Sequence, residues 1–167
     1  MVGVVKAYAT RVGEGPFPTE LNNATGERIR EIAHEYGATT GRPRRCGWLD
    51  LAVIRYAVQL NGLDCIALTR LDILDTFPEI QVCTGYRYQG KLMEEFPASL
   101  KVLGEVEPVY ETLPGWMADT TQCRTFQELP PNCQKYVERI GEIAGAPVGI
   151  VSVGPQRDST IVRQKMF

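Results

Sequence analysis

Residues 36–63, YGATTGRPRRCGWLDLAVIRYAVQLNGL, hold two kinds of sequence side by side. The first part, 38–47, is a polar loop rich in Gly and Arg. The second repeats apolar residues at helical spacing: Leu49, Ala52, Val53, Tyr56, Ala57 and Leu60. Leu51, Ile54 and Val58 fill the other side, which predicts a helix buried on most faces. Asn61-Gly62 stops it. Cys65-Ile66-Ala67-Leu68 follows as a short buried strand. A buried helix that feeds a buried strand through a glycine stop points to an α/β architecture.

The flanks agree. Upstream, residues 2–10 read as a strand, and 11–19 (RVGEGPFPT) as a structured loop with two Gly and two Pro. Gly26 to Tyr36 reads as a helix, with Ile29, Ile32, Ala33 and Tyr36 on one face and Glu27, Arg28, Glu31 and Glu35 elsewhere. Gly37 is its expected stop. Downstream, Ile80, Val82, Thr84, Tyr86 and Tyr88 alternate as a strand, and Gln89-Gly90 turns it into a return strand over 91–96. A strand over 108–112, an amphipathic helix over 130–144 and a buried strand over 148–153 complete the order. No repeat or linker interrupts it. The expected fold is α/β, a mixed sheet with flanking helices, in one compact unit over 1–167.

The chain has 167 residues, 44% hydrophobic and 23% charged, with net charge −2. This is ordinary globular composition. Nothing in it has the basic excess of a nucleic-acid binder or the long apolar run of a membrane span. Thirteen Arg stand against five Lys, so positions that grip carboxylate or phosphate by two bonds matter most. Five Cys (46, 65, 83, 123 and 133) include no CxxC pair and accompany a single His, His34. They read as reduced thiols of a cytoplasmic protein rather than a zinc site. His34 reads as a solvated surface residue.

Three constellations carry chemistry. Ala38-Thr39-Thr40-Gly41-Arg42-Pro43-Arg44-Arg45 combines hydroxyls, a glycine and three arginines, a donor set suited to a small dianion. A solvated basic loop is the alternative. Thr69-Arg70-Leu71-Asp72 follows the strand CIAL. Two carboxylate oxygens of Asp72 match the N1–H and N2 amine of guanine, and Arg70 is long enough to lie over a base. The plainer alternative makes Asp72 the N-cap of the turn it begins. Ser152-Val153-Gly154-Pro155 ends another strand, and α/β sheets bind ligands beyond their carboxyl ends. Gly85 to Lys91 matches GxxxxGK, but Leu92 replaces the Ser/Thr and the segment is a hairpin, so it is no phosphate loop.

Taken together, these stretches resemble the adenylosuccinate synthase family. The runs VVKAYATRVGEGPFPTEL (4–21), residues 36–63, ALTRLDILD (67–75), EPVYETLPGW (107–116) and VSVGPQRDSTIV (151–162) are similar to that family and stand in its order. The resemblance is to the C-terminal part of the family's enzyme, which joins IMP and L-aspartate at the expense of GTP. It implies that Ala38, Thr39, Thr40, Gly41, Arg42, Pro43 and Arg44 take aspartate. It implies that Val12 and Arg42 meet IMP, and that Arg44, Arg70, Leu71, Asp72, Ser152, Val153 and Gly154 meet GTP. It further implies Mg2+, a homodimer and a cytoplasmic location for the complete enzyme. Arg70 stands where the family usually has Lys, and Gln156 and Ser159 where acidic residues are common. The family's Gly-rich phosphate loop, its Asp base, its magnesium ligand and its catalytic His are not among these residues. Alone, the segment is therefore expected to be inactive; the alternative reading is a guanine- or dicarboxylate-binding or structural fragment.

Overall fold

A computed structural model describes residues 1–163. The fold is mixed α/β, as the sequence leads one to expect, and the chain divides into two compact units. One comprises Met1–Ala7, Val53–Ile80 and the chain from Thr112 onward; the other comprises Tyr8–Ala52 and Gln81–Glu111.

The first unit is built on the strands β1 (Val2–Lys6), β5 (Cys65–Thr69), β9 (Val148–Ser152) and β10 (Thr160–Val162), in the order β1-β5-β9-β10. The first three run parallel and β10 returns antiparallel to β9. Parallel strands buried on both faces read as continuous apolar runs, and β5 is one, with Cys65, Ile66, Ala67 and Leu68 all buried. Leu68 pairs with Val151, so β5 and β9 end beside each other. The helix α4 (Pro131–Ala144) covers this unit through Cys133, Tyr136, Val137, Ile140 and Ala144. Pro131 opens it, and Gly145, at φ 78°, closes it in the left-handed region where glycine is cheapest. The Tyr136 hydroxyl donates to the Ala7 carbonyl at 2.8 Å and ties the helix to the end of β1.

The segment after β5 is anchored by a buried carboxylate. Asp75 accepts from Trp116 Nε1 at 2.6 Å, from the Thr120 amide at 2.7 Å and from the Thr120 hydroxyl at 2.9 Å. Burial pushes its carboxyl up, and these donors oppose that shift. Asp75→Ala leaves three donors unmatched, at ~1 kcal/mol or more each. Its expected cost is about 3 kcal/mol in urea unfolding, with Asp75→Asn costing less because one acceptor oxygen remains. Equal stability of Asp75→Ala and the parent would show that water satisfies these donors.

The second unit holds β2 (Ala9–Arg11) paired antiparallel with β3 (Arg45–Gly47), and α1 (Ala24–Ile32) beside them. A second sheet is formed by β4 (Leu49–Asp50), β6 (Glu79–Tyr88), β7 (Lys91–Met93) and β8 (Glu107–Pro114), with β6 at its centre. The hairpin turn Gln89-Gly90 has φ 48° and 78°, as a two-residue turn requires. Ala52, Cys83 and Tyr86 form the core here, with Phe96, Val106 and Tyr110 against them. The Asp50 carboxylate caps the start of α2 (Leu51–Asn61), accepting from the Ala52 amide at 3.1 Å and from the Tyr86 hydroxyl at 2.6 Å.

Several expectations need correction. Residues 2–10 form two strands in two different sheets, because the chain bends at Ala7-Tyr8. The first helix begins at Ala24, capped by Asn23, and ends at Ile32 rather than Tyr36. His34, at φ 49°, turns the chain out of helical geometry. Glu35 is consequently fully buried, and Ile32 and Tyr36 are exposed. On α2 the buried side is Leu51, Ala52, Ile54 and Val58, whereas Val53, Tyr56 and Leu60 are exposed. The return strand stops at Met93. A short helix α3 (Leu100–Glu105), with Ser99 as N-cap, and the strand β10 have no counterpart in the sequence reading. Four cysteines are buried and Cys123 is partly so; none is bonded to another. Burial pushes the Cys83 thiol up to about 12, far from a reactive thiolate.

Candidate substrate-binding site

The loop between α1 and β3 is closed by its own main chain. The Arg44 amide donates to the Glu35 carbonyl at 2.9 Å, Tyr36 bridges Pro43, and the Gly37 amide donates to the Arg42 carbonyl at 2.9 Å. Gly41, at φ 64°, returns its amide to the Gly37 carbonyl at 2.8 Å. The tip, Ala38 to Pro43, is exposed. Arg30 Nε holds the Arg44 carbonyl at 2.9 Å and fixes the base of the loop to α1.

This loop faces the turn that follows β2. Arg11, Val12, Gly13, Glu14 and Gly15 line one open basin of about 860 Å³ together with Gly37, Thr40, Arg42, Pro43, Arg44 and Arg45. Val12 and the arginine loop, far apart in sequence, are thus brought to one place within the second unit. Ala38, Thr39 and Gly41 belong to the loop but do not line the basin. Gly15 stands at φ 108°, a conformation that side-chain-bearing residues rarely adopt.

Four arginines and one glutamate line the basin, a composition suited to an anion. The arginines differ in what they have left to give. Arg11 donates to the Glu14 carbonyl at 2.9 and 3.3 Å. Arg45 is held by Glu20, which its guanidinium keeps below the usual carboxylate range. Arg44 donates to Glu35 at 2.7 Å, and Tyr8 donates to the other oxygen of the same carboxylate at 2.6 Å. The side chain of Arg42 makes no hydrogen bond or ion pair with any other described residue. It is the guanidinium with both edges available for a bidentate grip. Sequence reasoning missed the Tyr8–Glu35–Arg44 chain, because Glu35 reads as one more surface charge of a helix that in fact ends three residues earlier.

In the first unit the two other motifs adjoin. Thr69 to Asp72 leaves β5 and Ser152 to Gly154 leaves β9, and these two strands are paired neighbours. Asp72 is not the N-cap of the short 3-10 turn Leu71–Leu74; that place is taken by Arg70, at φ 61°. Asp72 is half-buried, and desolvation is the main cause that pushes its carboxyl up, against the charge of Arg70. It lines a depression of about 330 Å³ with Asp75, Thr76, Met117, Ala118 and Asp119. Leu71 and Val153 are fully buried, so their side chains belong to the core and any ligand contact they make is through main chain. The Ser152 hydroxyl donates to the Gly154 carbonyl at 2.9 Å, and Ser159 lies against Gly154. Among the described residues, no group of three His, Cys, Asp or Glu side chains could hold a metal ion, and no helix is long and apolar enough to cross a membrane.

Comparison with known proteins points the same way. The family model for adenylosuccinate synthetase matches residues 1–161. The adenylosuccinate synthetase of Heliobacterium modesticaldum is 57% identical over 167 residues, all of this chain and 39% of that protein. The Geobacter sulfurreducens protein of the same name is 55% identical over the same span and share. A solved structure of fully ligated adenylosuccinate synthetase from Plasmodium falciparum matches 98% of this chain at 46% identity with a TM-score of 0.93, and 39% of that chain. This chain spans about two fifths of the length of the relatives it matches. Identity above half across every residue, with the fold retained at that TM-score, means that the chain belongs to the adenylosuccinate synthetase family.

Proposed function

We propose that residues 1–167 are the C-terminal, substrate-gripping segment of an adenylosuccinate synthetase, a ligase of AMP biosynthesis that joins IMP to L-aspartate and consumes GTP. The observation that carries this reading is the single basin lined by Val12, Thr40, Arg42 and Arg44 in a chain whose residues 1–161 match the family. In it, Arg42 grips a carboxylate of aspartate and reaches toward IMP. The hydroxyls and amides of Thr39 and Thr40 meet the rest of the amino acid, with Ala38, Gly41 and Pro43 shaping the loop, and Val12 packs on the IMP ribose. Arg44 keeps one edge on Glu35 and offers the other to the GTP phosphates. Guanine rests on the ends of β5 and β9, its N1–H and N2 amine donated to Asp72. Arg70 lies over the ring, and Leu71, Ser152, Val153 and Gly154 form the rim.

Phosphoryl transfer needs a phosphate cradle, a metal and a positioned base together. The family's Mg2+ is not matched by any acidic cluster among the described residues, and we assign its ligands to the rest of the enzyme. By its family, the complete protein is proposed to be a cytoplasmic homodimer that uses Mg2+. The test is a graft. The 167 residues replace the matching segment of the Heliobacterium relative, giving a hybrid synthetase. The hybrid is expected to make adenylosuccinate from IMP, aspartate and GTP, while the 167 residues alone make none. A folded hybrid without turnover would contradict the assignment. Turnover by the segment alone would contradict the division of labour.

A further inference from the structure

Arg45 has no part in the substrate contacts above, yet its guanidinium is the most heavily bonded in the basin. Nε and one terminal nitrogen form a fork on the two oxygens of Glu20, at 2.7 and 2.5 Å. The other terminal nitrogen donates to the carbonyls of Gly15 at 2.8 Å and Gly13 at 3.2 Å. The guanidinium also lies 5.5 Å from the centre of the Phe17 ring. Arg45 pairs with Arg11 across β2 and β3, so it stands where the chain leaves the sheet to form the turn that carries Val12. Gly13 and Gly15 have φ of 80° and 108°, a conformation that side-chain-bearing residues rarely hold. A planar fork with five donors can satisfy a carboxylate and two carbonyls at once; an ammonium at the end of a flexible stem cannot.

We propose that Arg45, anchored by Glu20, is a positioning residue that holds the Gly13–Gly15 turn, and with it Val12, in register with the Arg42 loop, so that the basin is formed before a nucleoside monophosphate enters. The proposal rests on the reading of Val12 and Arg42 as IMP contacts. Arg45 does not touch the ligand. It removes freedom that binding would otherwise have to remove.

The test uses the hybrid synthetase with Arg45→Lys, Glu20→Gln, and the charge swap Arg45→Glu with Glu20→Arg. Arg45→Lys keeps an ion pair with Glu20 but loses the two carbonyls. It is expected to raise KM for IMP about tenfold, to leave KM for GTP within about twofold, and to speed amide exchange in residues 12–15 about tenfold. Glu20→Gln, the milder change, moves the same quantities in the same direction by less. The swap restores opposite charges without restoring donors to Gly13 and Gly15, so it does not recover KM for IMP. A stabilising ion pair with no positioning role would lower the melting temperature, leave KM for IMP unchanged and be rescued by the swap; any of these last two results overturns the proposal. Arg42→Leu is run beside them. If it raises KM for IMP and Arg45→Lys does not, the brace is wrong and the site reading stands. If neither does, both fall.

Discussion

Arg42→Leu lowers kcat/KM for aspartate in the hybrid synthetase by about a hundredfold. The Arg42 side chain is exposed and bonds to no other described residue, so its removal leaves no buried charge behind. The loop around it is closed by main-chain bonds donated by Gly37, Gly41 and Arg44 that leucine does not disturb. The loss is therefore read in substrate binding and not in stability. Two charge-assisted hydrogen bonds to one carboxylate contribute roughly 3 kcal/mol together, which is about a hundredfold. Arg42→Lys recovers part of this, since a point charge replaces a fork. KM for GTP stays unchanged if the guanine contacts lie at β5 and β9, as assigned. Unaltered aspartate kinetics in Arg42→Leu would return residues 38–44 to a solvated basic loop.

The second large effect is expected at Asp72. In the proposed reading its carboxylate accepts from the N1–H and N2 amine of guanine, whereas adenine lacks the amine and presents an acceptor at N1. Asp72→Asn replaces one acceptor with a donor that meets N–H groups. An unpaired polar group costs ~1–3 kcal/mol, so GTP affinity falls about tenfold or more. Xanthosine triphosphate gains, because its C2 carbonyl accepts from the new amide. Asp72 is not the cap of the turn it sits in, so the substitution removes no helix cap. Parallel measurements of KM for GTP and for xanthosine triphosphate decide the matter. Unchanged preference between them removes guanine recognition from Asp72.

The parallel strand β5, the hairpin at Gln89-Gly90 and the helix α4 with its Gly145 stop all lie where local periodicity and turn chemistry put them. Their signals are local, and the fold does not override them. The first helix is different. Its apolar repeat continues through Tyr36, but His34 adopts positive φ, and the chain turns inward so that Glu35 can join Tyr8 and Arg44. Periodicity cannot register a partner many residues away. On α2 both sides are apolar, and the choice of the buried one depends on packing that the pattern of Leu51, Ile54 and Val58 against Val53, Tyr56 and Leu60 leaves open. In the site, the arginine loop was legible as a donor set because three guanidinium groups crowd four positions. Their unequal roles were not legible, because Glu20, Glu35 and the Gly13 and Gly15 carbonyls that distinguish them arrive through the fold.

The most direct measurement is a crystal structure of the hybrid synthetase with IMP, GTP and a non-reactive aspartate analogue. The analogue is expected in the basin between Val12 and the 38–44 loop, with a carboxylate forked on two nitrogens of the Arg42 guanidinium, and guanine N1 and N2 within hydrogen-bond distance of Asp72. A dicarboxylate bound elsewhere, with Arg42 left in solvent, would contradict the account.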